Sequence, residues 1–239
     1  MTLLTEVLAR AARECSVEPP SSWISATETE HVEIRDDFLM ETVDDILDRA
    51  DLPSPIGKQT VITGDGSETY DLPSDFRRLK AGPLAVYETT TGGKRCLPVH
   101  SDGEWTKLKD DASAGVDRFY RLSGYEGAHS ISLYRAPTAG ISITVSYVAN
   151  LWMAASGTVG NAFTDSEDVL ILPRRLVEAG IVWRFRQRNG LPYDDKRMAY
   201  EAQLERLKND ANGRRSFSIS SRRKRHPWQS DVPDFIPSS

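Results

Sequence analysis

Two cysteines, Cys15 and Cys96, in 239 residues leave no material for a disulfide framework or a thiolate metal knuckle. Each reads as a free thiol, which suits a chain made in a reducing cytoplasm. No apolar run approaches the roughly twenty residues that a membrane span requires, so no membrane association is expected. The opening MTLLTEVLARAARE brings acidic Glu6 early and has neither a basic n-region nor a small-residue cleavage site, so neither signal peptide nor anchor is expected. Histidine is scarce as well. His31, His100, His129 and His226 stand far apart, without acidic or cysteine partners at ligand spacing, and read as surface or turn residues.

Catalytic signatures are missing in the same way. There is no G-x-S-x-G elbow among the many serines, and neither cysteine has the helix-start or basic context that lowers a thiol pKa. Gly64-Asp65-Gly66 lacks the spacing of a phosphate loop or a calcium loop and reads as a hairpin turn. The expectation is therefore no catalytic residue, no cofactor and no metal. Carboxylates at i, i+4, Asp37 with Glu41 and Asp44 with Asp48, are the pattern nearest to an active site. They would suit glycoside cleavage, but a solvated acidic face is the commoner use of that spacing.

The residues that are present form three blocks. Leu4, Val7, Leu8 and Ala11 share one face of a helix over residues 2–15; after Pro19 and Pro20, a second helix over 28–50 carries Val32, Leu39, Val43, Ile46 and Leu47. From Lys58 to Val148 the period shortens to two. QTVITGDGSETYDLP reads as strand, turn and strand; DRFYRLSGYEGAHSISLYRAP repeats that arrangement around Gly124 to Gly127; ISITVSYV alternates again. The threonines and glycines of Glu88 to Gly93 suggest a hairpin tip, and Asp102 to Lys109 a short helix under Trp105. From Pro173 the period lengthens once more. Leu176, Ala179, Gly180 and Trp183 recur at helical spacing, flanked by Val177, Ile181 and Phe185; Asn189, Gly190 and Pro192 end that helix, and Asp194 or Asp195 starts another carrying Tyr200, Leu204 and Leu207. This order predicts an α+β fold: a helical bundle of N-terminal helices (1–57) and a C-terminal helical hairpin (151–210), with an inserted antiparallel β subdomain (58–150) and an extended C-terminal arm (211–239).

LPRRLVEAGIVWRFRQRNGLPYDDKRMAYEAQLERL (Leu172 to Leu207), together with YDLPSDFRRL (Tyr70 to Leu79) and ISLYRAPTAGISITVSYVANLW (Ile131 to Trp152), resembles the head-to-tail adaptor proteins of tailed bacteriophages. These are also called tail accessory or head-completion proteins, and the likeness is to the short-tailed, podovirus-like type. The resemblance rests on the order of packing residues and turns, not on a catalytic motif. It implies a structural virion protein that forms a ring, twelve copies in such adaptors, joining the portal to the tail and extending the DNA channel. The implied partners are the portal protein, a distal tail or nozzle protein and further copies of the chain, with genomic DNA only as passing cargo. The implied location is the head-tail junction of the virion, after synthesis in the host cytoplasm.

A net charge of −5 conceals a segregation of sign. Glu28, Glu30, Glu33, Asp36, Asp37, Glu41, Asp44, Asp45, Asp48 and Asp51 face only Arg35 and Arg49 in the same stretch, whereas Arg214, Arg215, Arg222, Arg223, Lys224 and Arg225 make the end of the chain basic. Asp37, Glu41, Asp44 and Asp48 are a candidate acidic channel face, which would repel DNA phosphates and let the genome slide. Arg184, Arg186 and Arg188 are a candidate ring interface, pairing with a neighbour's acids. The six basic residues of the arm, with Trp228, Phe235 and Ile236 as anchors, are a candidate portal-docking segment. Two alternatives stay open. A virion-associated cell-wall hydrolase would use the carboxylate pairs, and a DNA-binding packaging factor would use Arg222 to Arg225.

Overall fold

The computed structural model describes residues 2–90, 92–110, 117–125, 127–155 and 158–211. Among them, α1 (Leu4–Glu14) is the first helix. A second rod joins α2 (Thr29–Val32), a π-helical segment (Glu33–Phe38) and α3 (Leu39–Arg49). The others are α4 (Asp102–Asp110), α5 (Arg174–Arg188) and α6 (Asp194–Ala211). The strands are β1 (Thr2–Leu3), β2 (Gly57–Thr63), β3 (Thr69–Asp71), β4 (Phe76–Leu79), β5 (Val86–Glu88), β6 (Lys94–Arg95), β7 (Leu97–Pro98), β8 (Phe119–Tyr125), β9 (Ala128–Tyr134), β10 (Ser142–Ala149), β11 (Met153–Ala155), β12 (Thr158–Gly160) and β13 (Val169–Leu170).

Those strands form three sheets, ordered β1-β13-β11-β12, β2-β10-β5-β6 with β4 also on β10, and β3-β9-β8-β7. Five helical rods and three sheets make a β-rich architecture, and this overturns the expected helical bundle with one inserted β subdomain. The stretch assigned to the helical hairpin begins with β11, β12 and β13, and β13 pairs with the chain's first strand, Thr2 opposite Leu170. Strands of two or three residues are too short to show a period of two, so nothing in the pattern announced that sheet. The expected hairpin at Gly64 to Gly66 is corrected too. β2 pairs with β10 and β3 with β9, so the turn carries the chain from one sheet to another. There Gly66 has φ +91, while the Asp65 carboxylate accepts the Ser67 N–H at 2.8 Å and the Tyr70 hydroxyl at 2.7 Å. In the middle block β7 runs parallel to β8, an exception to an otherwise antiparallel arrangement.

The hairpins β5–β6 and β8–β9 form where the sequence places them, and α4 buries Trp105. Two cores result. The larger gathers Leu4, Val7, Leu8 and Ala11 of α1, Leu39, Val43, Ile46 and Leu47 of α3, and Leu176, Val177, Ile181 and Phe185 of α5 with Trp152, Met153 and Leu170 from the short sheet. The smaller holds Ile62, Phe76, Val86, Ile131, Leu133, Ile143, Val145 and Tyr147. α5 is the hub of the first, packed against α1, α3, the π-helical segment and α6. His31 belongs to that core rather than the surface. It is buried edge-on to Trp23, with Nε2 at 2.8 Å from the Glu18 carbonyl oxygen.

Candidate functional site

The acidic rod is held by arginines that arrive from other parts of the chain. In β4, Phe76 points into the smaller core and the next two residues reach α3. Arg77 donates from Nη1 to Asp44 at 2.7 Å, and from Nε and Nη2 to the two carboxylate oxygens of Asp48 at 2.6 and 3.0 Å. The i, i+4 spacing puts both acids on one helical face, so a single planar guanidinium spans them. Arg78 takes the end of the same helix. It donates to the carbonyl oxygens of Leu47 and Ala50 at 2.8 and 2.9 Å and to Asp51 at 2.7 Å. A cation at a helix C-terminus satisfies carbonyls that have no intrahelical partner and complements the dipole.

From the other side come the arginines of α5. Gly180 lies where a Cβ would stand 2.2 Å from Thr42 Cγ2, so at the α3–α5 crossing the Thr42 side chain packs directly on the α5 backbone. One turn on, Arg184 is buried, at 9% exposure. Its Nη1 donates to Thr42 Oγ1 at 3.1 Å, and its guanidinium lies 3.5 Å from both Glu41 and Asp45. The rings of Trp183 and Tyr200 cover it, with centroids 4.5 and 5.4 Å away. Arg188 pairs with Asp37 at 3.0 Å and Glu33 at 3.7 Å. α6 closes the network, as Tyr200 donates its hydroxyl to Asp45 at 2.5 Å and Arg49 grips Glu201 with both terminal nitrogens. Burial first, and that hydrogen bond second, raise the Tyr200 pKa. The bond from Arg49 holds the Glu201 carboxyl below the usual range.

The structure therefore brings two of the sequence-based candidates together. Asp37, Glu41, Asp44 and Asp48 meet Arg188, Arg184 and Arg77 within one chain, and keep 47, 59, 50 and 56% of their side-chain surface in solvent. Arg184 is spent inside its own chain. Among the described residues, Arg186 donates to the carbonyl oxygens of Glu14 and Pro192, at 3.5 and 3.4 Å. Arg214, Arg215, Arg222, Arg223, Lys224, Arg225, Trp228, Phe235 and Ile236 lie outside the described residues. Sequence reasoning passed over Arg77 and Arg78 as functional, although the signal stood in FRRL: two adjacent arginines starting a strand some thirty residues after an acidic helix.

A second tie lies within the β part. Asp75 receives Lys58 Nζ at 2.6 Å and the Tyr147 hydroxyl at 3.0 Å, while its carbonyl takes the Asn150 N–H at 2.7 Å. Burial and the Asp75 carboxylate push the Tyr147 phenol up to about 12. Between the two parts, Met40, Asp44, Asp48, Phe76, Arg77, His129, Asn150 and Asn161 line a cleft of about 470 Å³. The carboxylates facing it are the pair bonded to Arg77, which binds them as acceptors. Among the described residues no group of His, Cys, Asp and Glu is placed to hold a metal ion, and no helix is long and apolar enough to cross a membrane. Burial raises the thiols of Cys15 to about 12 and of Cys96 to about 11, which leaves both un-ionised at neutral pH.

The site is thus a joint, a set of arginine clamps tying a helical layer to a β layer. Nothing among curated proteins matches the chain. A family model described as SU10 adaptor protein matches residues 1–226, spanning both layers and every residue of the joint. The resemblance read from Leu172 to Leu207, Tyr70 to Leu79 and Ile131 to Trp152 is borne out, and the chain belongs to the SU10 adaptor protein family, structural adaptors of the bacteriophage virion at its head-tail junction.

Proposed function

We propose that the protein assembles into a ring of twelve copies which joins the portal to the tail and extends the DNA channel. The observation that supports this reading is the joint itself. Arg77 and Arg78 fasten α3 to the β4–β10 pair through charge-assisted bonds, so that load on one layer passes to the other, as a spacer between two machines requires. In this reading residues 1–57 and 151–210 form the portal-side unit, and 58–150 meets the distal tail or nozzle protein. Residues 211–239 are the portal-docking arm, with Arg214, Arg215, Arg222, Arg223, Lys224 and Arg225 as rim contacts around Trp228, Phe235 and Ile236.

Between copies, Arg186 and Arg188 serve the ring interface, since Arg188 keeps 52% of its side chain in solvent. Asp37, Glu41, Asp44 and Asp48 border the channel with their half-exposed carboxylates. Their arginine partners soften the field they present, so passing DNA is repelled weakly at physiological salt. The test is the mass of the full chain alone and after mixing with a portal ring. Twelve copies joining one portal ring support the proposal, and a protein that ignores the portal defeats it. Deleting residues 214–239 is expected to abolish the attachment while leaving the far-UV spectrum unchanged.

A further inference from the structure

β2 is the last strand of its sheet, bonded to β10 on one side and to no strand among the described residues on the other. Which of its backbone groups face that open side follows from the phase of the ladder. The Gly64 N–H donates to the Ile141 carbonyl and the Ala149 N–H to the Ile56 carbonyl, both at 2.8 Å. The register between them runs unbroken from Gly57 opposite Val148 to Thr63 opposite Ser142. Residues of an antiparallel pair alternate between exchanging both bonds and exchanging none. Lys58, Thr60 and Ile62 therefore bond to β10, and Gln59, Val61 and Thr63 turn their N–H and C=O groups outward. All three of those residues are exposed, Val61 at 59%, while Ile62 is buried in the smaller core.

The other sheet edges are blunted and this one is not. β1, β3 and β12 are only two or three residues long, β6 is Lys94–Arg95, and β7 contains Pro98, all devices that discourage strand addition. β2 has seven residues, no proline and an unbroken register, and its one charged residue, Lys58, is held by Asp75 at 2.6 Å. Such a strand is complementary to itself. Laid antiparallel on a second β2 about a two-fold axis at Val61, it sets Val61 opposite Val61 and Gln59 opposite Thr63, with no like charges opposed. Every outward N–H then faces an outward C=O, and each copy donates three hydrogen bonds to the other. We propose that β2 is a docking edge whose occupant is β2 of a second copy, so that the two sheets become one across the pair. The contact is isologous and closes at two copies. It concerns the free subunit and holds or fails independently of the ring.

The full chain, sedimented over a range of concentrations, is expected to approach twice its 26.7 kDa, with a Kd on the order of 0.1 mM for so small a contact. Val61→Pro removes an outward N–H and no bond to β10, the one kind of strand position that tolerates proline. It is expected to weaken association about tenfold or more with the far-UV spectrum unchanged. Val61→Lys sets like charges opposite each other and should do the same without constraining the backbone. Cross-linking reads the register, because the native thiols of Cys15 and Cys96 are buried. Val61→Cys should oxidise to a covalent dimer, Gln59→Cys alone should not, and Gln59→Cys mixed with Thr63→Cys should. A chain that stays at 26.7 kDa at every concentration overturns the proposal, as does a dimer indifferent to both Val61 variants. Gln59→Cys cross-linking as fast as Val61→Cys overturns the antiparallel pairing about Val61.

Discussion

Replacing Gly180 by alanine tests whether the α3–α5 crossing is set by the packing of the Thr42 side chain on a bare α5 backbone. Two effects compete. Alanine is favoured over glycine within a helix by about 1 kcal/mol. Against that, the new Cβ would lie 2.2 Å from Thr42 Cγ2 and 2.8 Å from Thr42 Oγ1. Thr42 has little freedom to retreat. It is fully buried, its hydroxyl donates to the Phe38 carbonyl at 2.7 Å, and the same oxygen accepts from Arg184. Overpacking costs about 1–3 kcal/mol, and disturbing a hydrogen bond to a buried charged group about 1.5–3 kcal/mol. The net expectation is a loss of about 1.5–5 kcal/mol, or roughly 3–20 °C in Tm for a protein of this size. Urea denaturation followed by tryptophan fluorescence reports it, because Trp183 sits on the same helix. The double variant Thr42→Ala with Gly180→Ala removes the obstructing atoms and should be more stable than the sum of the single changes predicts. A Gly180→Ala protein as stable as the parent, or more so, would show that helix propensity outweighs the contact and that the helices slide apart cheaply.

Arg77→Ala should cost about 1–2 kcal/mol, the lower part of the range for charged hydrogen bonds because Asp44 and Asp48 are half exposed. Arg77→Lys should recover only part of it, since an ammonium cannot span both carboxylates; full recovery, seen in the denaturation midpoint, would mean that charge alone suffices. Tyr147 and Tyr200 have folded pKa values raised above the unfolded value of about 10. Their contribution is thus fully present below pH 10 and is lost as pH rises through about 12 for Tyr147. Far-UV signal and tyrosinate absorbance should therefore change together in an alkaline titration, and free titration of every tyrosine near pH 10 in a folded protein would refute this.

The helices were legible because their apolar residues repeat. Leu4, Val7, Leu8 and Ala11 lie on one face, and each is fully buried. What escaped was whatever depended on a distant partner. Thr2 and Leu3 carry no local sign that they will lie against Leu170 and Val169. Gly64 to Gly66 marks a turn well enough, but a turn does not say which strands its flanks will join, and here they join different sheets. The run of acids on the second rod was readable as charge, yet its destination was not. Whether Asp44 and Asp48 face solvent or an arginine is decided by β4, which the chain brings back only after the β2 and β3 strands. His31 had the same fate, drawn inside by Trp23 and the Glu18 carbonyl.

The pairing of Thr2–Leu3 with Val169–Leu170 also has a consequence for how the protein is made. The contacts that complete the larger core join the first helix to elements more than 150 residues later, which makes for high contact order and slow closure. While the chain is being synthesised, α1 waits with its apolar face uncovered, and the acidic rod repels itself until Arg77, and much later Arg184 and Arg188, emerge to neutralise it. The clasp can shut only once synthesis has run past β13 and α5, which together supply the partners of β1 and α1.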